Sequence, residues 1–419
     1  MALLQQNTPS TLAGAPGHQS NFAPQRIPPT VQQPLISASA PASAPSYISE
    51  ATRQLTRLSK AVGQDEIKRE KLLHALRSAG AEWARKPIPL SLDRSAWVSD
   101  VSNDHSPYEY SLALSQQTGA SELRFLIEAQ PEQNSLAALQ ESTSRLTDEI
   151  MTQYGPEKVS VDRLNLVRDL FLPADAEGRL AAWHSFATSN TLEKWKIYLN
   201  PVAAGMQNAC RVIRQALERL GLAHSWALLE TILTDNDCPI YFSLGLSPNP
   251  EDAEVKVYVA HFGASATQIA HKHVQMDRQA SIPAIEQFYL AMGGGSLGPY
   301  RRKPGLSCFH FKNRDPSRPA ARTVLYPMDS YAVNDADAQQ RVETYMDAIS
   351  APQLYRERYR SAIRAVQRRP LEAGRGIHSW VSMKEKPDGT RSNTFYLSAE
   401  LFGCLGDDSL ATYSVDESL

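Results

Sequence analysis

No run of about 18 uninterrupted apolar residues occurs in the chain, and its start carries no basic stretch followed by an apolar one, so neither a membrane-spanning helix nor a secretory leader is expected. Cysteine is scarce: Cys210, Cys238, Cys308 and Cys404 are scattered without a C-x-x-C pair, which argues against a disulfide framework or a zinc site and for reduced thiols. An excess of one charge is missing too. A net charge of -2 and a pI near 6.6 leave no global basic field, so bulk nucleic-acid binding is excluded and any anion site must come from local placement of Lys and Arg. The expectation is a cytoplasmic protein that engages neither membrane nor nucleic acid.

What remains is ample for a large core: 419 residues, 42% hydrophobic and 21% charged, enough for one large domain or two ordinary ones. Residues 1–46 are rich in Pro, Ser, Ala, Gln and Asn, and with few large hydrophobics they read as a disordered tail; 406–419 read as an acidic C-terminal tail, leaving 47–405 as the folded domain. Within it, strand-like runs come in pairs: 107–114 with 122–130, 181–187 with 193–199, 239–246 with 254–262, 306–312 with 321–326, and 376–384 with 394–402. Segments with helical spacing precede or separate the pairs, at 48–85, 134–153, 206–222, 264–292 and 336–368. Five helical-plus-hairpin units predict an α+β fold in which ten antiparallel strands close into one barrel surrounded by helices, closure leaving no free sheet edge.

Residues two apart on a strand share a face. Lys196 and Tyr198 therefore point together, as do Glu254, Lys256 and Tyr258, and Arg124 goes with Leu126 and Glu128. On the last hairpin His378, Trp380, Ser382 and Lys384 are expected on one face and Tyr396, Ser398 and Glu400 on one face of its partner. The alternate positions are apolar: Ile197 and Leu199; Val255, Val257 and Val259; Phe395 and Leu397. If helices cover the barrel, the apolar face meets them and the Lys, Arg and Tyr side chains enter the lumen. Such a lumen suits an anionic ligand, because Lys and Arg make charge-assisted bonds to phosphate oxygens and phenols add neutral donors. Phenol rings also shield a carbocation through their π faces.

Five short motifs in order resemble the dimethylallyl tryptophan synthase family, the indole prenyltransferases of the ABBA-barrel type, and its bacterial members more closely. They are Pro107-Tyr108-Glu109-Tyr110-Ser111, Leu123-Arg124-Phe125, Trp195-Lys196-Ile197-Tyr198-Leu199-Asn200-Pro201, Val255-Lys256-Val257-Tyr258 and Tyr396-Leu397-Ser398, and the resemblance spans roughly residues 48–404. It implies transfer of a dimethylallyl group from dimethylallyl diphosphate to the indole ring of L-tryptophan or a related indole by electrophilic aromatic substitution, with no cofactor and no obligatory magnesium. It further implies that Glu109 accepts the indole N–H, that Arg124, Lys196 and Lys256 grip the diphosphate, and that Tyr198, Tyr258 and Tyr396 bond it and wall in the cation. Tyr326 is a further candidate for binding substrate. Three positions depart from the family pattern, the first being Glu400, which stands where the family often has another tyrosine. Glu254 stands where many members carry arginine and would repel a diphosphate by roughly 1–4 kcal/mol unless neutralised, with Arg322, Arg301, Arg302 or Lys303 as replacement cations. The family's deprotonating lysine on the third strand lacks a match, and His184, with its near-neutral unperturbed pKa, is the candidate base in its place.

Other motifs are weaker. Asn334-Asp335-Ala336-Asp337 and Asp407-Asp408 lack the spacing of magnesium-collecting repeats, and His271-Lys272-His273 reads as a helix surface because residues two apart on a helix diverge. Gly293-Gly294-Gly295-Ser296-Leu297-Gly298 lacks the Gly-Lys-Ser/Thr ending of a P-loop. Two other functions fit a polar-lined barrel: O-prenylation of a phenol such as tyrosine, and non-catalytic binding of a small anionic or hydrophobic molecule. No motif bears on oligomeric state.

Overall fold

The computed structural model describes residues 44–404 apart from 81, 91–96, 189–192 and 252, so residues 1–43 of the first expected tail and all of the second, 406–419 with Asp407-Asp408, lie outside the described residues. Ten strands form a closed antiparallel barrel in which every strand pairs with its sequence neighbours and β1 pairs with β10. The strands are β1 (Tyr108–Ser115), β2 (Ser121–Ile127), β3 (Ala182–Thr188), β4 (Glu193–Leu199), β5 (Asp237–Gly245), β6 (Val255–His261), β7 (Gly305–Phe311), β8 (Ala321–Tyr326), β9 (His378–Glu385) and β10 (Arg391–Ser398). Helices α1 (Tyr47–Ala61) and α2 (Glu66–Gly80) precede the first hairpin; α3 (Leu136–Tyr154), α4 (Asp162–Asn165) and α5 (Arg168–Phe171) precede the second; α6 (Ala209–Arg219) and α7 (Ala223–Glu230) the third. Then come α8 (Ala266–Met276) and α9 (Ile282–Met292) before the fourth hairpin, and α10 (Met328–Tyr331), α11 (Asp335–Ala348) and α12 (Gln353–Val366) before the fifth. The five helical-plus-hairpin units are all present.

Several segments read as single helical regions are pairs, each broken by local chemistry. Between α1 and α2 the chain turns at Gly63, whose φ of 67° disfavours any side chain. Ser281 caps α9 by accepting from Ala284 N, with Pro283 in the first turn, so 264–292 divides there. Pro352 precedes α12 and divides 336–368. Ser46, assigned to the tail from sequence, caps α1 through Ser49 N. Among the described residues no helix is long and apolar enough to cross a membrane.

The barrel is wrapped as the strand alternation demands. Trp195, Ile197 and Leu199 of β4, Val255, Val257 and Val259 of β6, and Phe395 and Leu397 of β10 are buried in the core shared with the helices. The opposite face carries Tyr258, Cys308 and Leu325, packed with Tyr198, Tyr241, Trp380 and Tyr396 in a separate interior cluster. A hydrogen-bonded chain ties the wall to α8: Asp237 to His261 Nδ1 at 2.6 Å, His261 Nε2 to Ser307 at 2.7 Å, and Ser307 to His273 at 2.9 Å. It has the relay order of a catalytic triad, yet Ser307 is fully buried against the helix layer, so it serves packing. His273, expected on a helix surface, is buried for this reason.

Candidate active site in the barrel lumen

Register alone brings seven of the nine expected site residues into the lumen. Ser111 lies opposite both Arg124 and Tyr396, Ser185 opposite Lys196, Ser243 opposite both Tyr198 and Lys256, and Glu109 opposite Leu126 and Ser398. Small residues on intervening strands let large ones meet over them: the rings of Tyr198 and Tyr258 stand 6.1 Å apart across Ser243, and Tyr241 meets Tyr258 edge-on at 6.1 Å. The Ser243 hydroxyl is buried without a hydrogen-bond partner.

Toward the end of the barrel where β2 and β6 begin and β9 ends, the lumen is cationic. Arg124, Lys196 and Lys256 meet there with Lys384, a residue whose lumen face was legible but whose role was missed; each acts electrostatically on others of the group. Two carboxylates offset them. Glu122 forms an ion pair with Arg124; burial acts upward on its carboxyl, but the guanidinium holds it down at about 2. Glu254 places Oε2 2.5 Å from Lys196 Nζ and 3.3 Å from Lys256 Nζ, while Oε1 is 2.9 Å from His310 Nδ1. Burial opposes its charge, yet the two ammonium groups keep it well below the usual carboxylate range. Glu254 is thus neutralised in place. Burial, then Arg124 and Lys256, pulls Lys384 down to about 8, and burial holds His310 neutral, near 3. Burial raises Tyr258 and Tyr396 above the ordinary phenol range, so both keep their protons as donors.

At the opposite end, where β1 begins and β10 ends, stands Glu109. A bulge in the β9–β10 pairing, between Tyr396 and Leu397, turns Ser379 inward, and its hydroxyl donates to Glu109 Oε2 at 2.8 Å. Burial raises the Glu109 carboxyl to about 8. The same bulge overturns one expectation: His378 does not share the face of Trp380, Ser382 and Lys384, but turns outward to Tyr359 at 2.8 Å and Asp335 at 3.1 Å. Glu400 lies beyond β10 with φ 47°, its carboxylate 2.6 Å from Arg369 rather than in line with Tyr396. Trp183 of β3 packs with Leu126, Tyr198 and Tyr241, and its Nε1 donates to Glu128 at 2.9 Å.

Two expected site residues are not in the lumen. His184 follows lumen-facing Trp183 and so points the other way, to Thr147 of α3 at 2.9 Å; burial drops it to about 3, and it cannot reach a substrate in the barrel. Tyr326 packs outside the wall against Tyr289, Tyr300 and Tyr331. Nor is Arg322 a spare cation, because it is buried between Asp277 and Glu385. Lys303 lies near Glu109 rather than among the cations, pairing with Asp329. The acids at 335 and 337 are engaged elsewhere, Asp335 by Arg369 and His378 and Asp337 by Arg341.

The lumen thus runs from an acid at one end, through phenols, to cations at the other. Residues 81–362, more than half of the chain, match the family model described as tryptophan dimethylallyltransferase. The chain belongs to this family. As a member of the tryptophan dimethylallyltransferases it is a prenyltransferase, and the resemblance drawn from five short motifs is borne out. Solved structures agree. The chain is 28% identical to 6-dimethylallyltryptophan synthase from Micromonospora olivasterospora, solved with DMASPP and Trp, covering 87% of this chain and 100% of that one with a TM-score of 0.77. It is 27% identical to the prenyltransferase PriB in its binary complex with product diphosphate, covering 86% and 98% with a TM-score of 0.77. The third is 5-dimethylallyltryptophan synthase from Streptomyces coelicolor, at 25% identity, 86% and 99% coverage and a TM-score of 0.75.

Proposed function

We propose that this tryptophan dimethylallyltransferase family member binds dimethylallyl diphosphate at the cationic end of its barrel and tryptophan at the Glu109 end, and joins them across the tyrosine cluster. The observation that carries this reading is the ordering of the lumen. Arg124, Lys196, Lys256 and Lys384 hold the diphosphate, with Tyr198, Tyr258, Tyr396 and the unpartnered Ser243 hydroxyl as neutral donors. As the allylic C–O bond breaks, its electron pair goes to the diphosphate, and fixed cations stabilise that growing charge more than the ground state. The dimethylallyl cation forms among the phenol faces. Glu109 accepts the indole N–H, raising the ring's electron density; a ring carbon attacks the cation to form the new C–C bond, and the ring proton at that carbon passes to the released diphosphate, which restores aromaticity. His184 does not take that proton. A closed wall keeps out water that would trap the cation as an alcohol.

Protein cations do the neutralising here, so the reaction needs no metal ion. Four unpaired cysteines suit a reducing compartment, the cytoplasm. The test is mass spectrometry of the purified protein with dimethylallyl diphosphate and L-tryptophan, with and without EDTA, beside tyrosine and simple indoles. Tryptophan gaining one dimethylallyl group in EDTA supports the reading. A product on tyrosine oxygen alone, or none with any acceptor, overturns it.

A further inference from the structure

Lys303, on the segment entering β7, places Nζ 2.7 Å from Asp329 Oδ2, on the segment leaving β8. Their side chains are 19% and 3% exposed. The same ammonium sits 4.5 Å above the centre of the Trp380 ring, and Trp380 belongs to the lumen cluster with Tyr258 and Tyr396. Both charges act on Glu109, which puts the pair at the acceptor end. Its geometry is held from behind: the Tyr331 hydroxyl accepts from Lys303 N at 3.2 Å and donates to Lys303 O at 3.1 Å, and Ser330 donates to Asp329 Oδ1 at 3.0 Å.

A buried pair of this kind adds little stability, because desolvation offsets the mutual attraction. It does provide an anion site and a cation site side by side next to the group that receives the indole N–H. A free α-amino acid carries the matching charges on one carbon. We propose that Lys303 and Asp329 read the α-amino acid end of the acceptor, Lys303 binding its carboxylate and Asp329 its ammonium, so that one protein ion pair is replaced by two across the interface. The aromatic side chain then extends from the same carbon toward Glu109, with the Trp380 ring as a platform beneath Lys303. This inference rests on the prenyl-transfer reading above and names the feature of the acceptor that the site selects.

The test is a crossed set of acceptors and variants. Steady-state kinetics are measured with L-tryptophan, tryptamine (no carboxylate) and indole-3-propionate (no ammonium), on the wild-type enzyme, Lys303→Gln and Asp329→Asn, at saturating dimethylallyl diphosphate. L-Tryptophan should lose about tenfold to a hundredfold in kcat/KM with either variant, the effect of removing one hydrogen bond to a charged group. Tryptamine should be nearly indifferent to Lys303→Gln, and indole-3-propionate to Asp329→Asn. Equal losses with all three acceptors, or no loss with any, overturn the assignment. The KM for the donor, unchanged in both variants, shows that the barrel is intact. A wild-type enzyme inactive on every indole refutes the prenyl-transfer reading itself, which separates that failure from this one.

Discussion

Glu254 Oε2 touches Lys196 Nζ at 2.5 Å across an intervening strand, and it can do so because the residue between them is Gly245. Gly245 N donates to Glu254 O at 2.9 Å, and a Cβ built on the glycine lies 3.3 Å from Glu254 N, already tight. With no side chain on β5 at this level, the carboxylate crosses to β4 and also reaches Lys256 and His310. A position where the family resemblance implies a cation therefore carries an internal counterion. In the proposed reading the donor binds in competition with that counterion.

Replacing Glu254 by Gln removes the competitor while keeping the shape. Inorganic diphosphate should bind about tenfold more tightly at a pH acidic enough to keep Lys196 charged once the carboxylate that holds its pKa up is gone, consistent with relief of roughly 1–4 kcal/mol of like-charge repulsion. Calorimetric titration reads this directly; equal or weaker binding shows that Glu254 turns away from the diphosphate when it arrives.

Glu109 sets an acidic limb on acceptor use. Its carboxyl is raised to about 8, and in the proposed role the ionised form is the stronger acceptor of the indole N–H, so kcat/KM for tryptophan should rise with pH up to about 8. Glu109→Gln should abolish that limb and lower the rate by on the order of 10²-fold. Lys196, pulled down by burial to about 7, and Lys384, held at about 8, work in the opposite direction on the donor: their cations are lost as pH rises through 7 and then 8, so kcat/KM for dimethylallyl diphosphate should fall across that range.

Arg322 tests whether a basic strand residue outside the lumen matters to catalysis. Arg322→Met leaves Asp277 and Glu385 buried without their shared partner and should cost about 3–5 kcal/mol of stability by chemical denaturation. The donor KM of the folded fraction should not change. A raised donor KM assigns Arg322 to the diphosphate after all.

His184 separates packing from proton transfer. It is held neutral, near 3, by burial, whereas the unfolded chain protonates it near 6.5. The unfolded state then binds the extra proton, so stability falls as pH drops from about 6.5 toward 3. His184→Gln should remove up to one proton from that slope and leave kcat within about twofold. A kcat loss without a change in stability identifies His184 as a base.

The paired strand runs, the helical segments between them and the alternation of Lys and Tyr with Val and Ile were all legible in the sequence, because they are local: strand periodicity depends only on residues two apart. From it follow the closed barrel and the inward placement of Arg124, Lys196, Tyr198, Lys256, Tyr258 and Tyr396. The departures have two causes. His184 and Tyr326 were chosen by residue type near a matching strand, and alternation, counted from Trp183 and Leu325, sends both outward. His378 was placed by unbroken alternation, which the bulge at Ser379 interrupts.

Only the tertiary structure decided the contacts that cross strands. That Gly245 opens a path for Glu254, that Lys384 joins the cations, that Arg322 is already matched by two carboxylates, and that Lys303 meets Asp329 beside Glu109 all depend on register and closure between residues far apart in the chain. The sequence determined which face each strand presents, through short-range sterics and the burial of apolar side chains; which charges meet was left to the geometry of ten strands closing on one another.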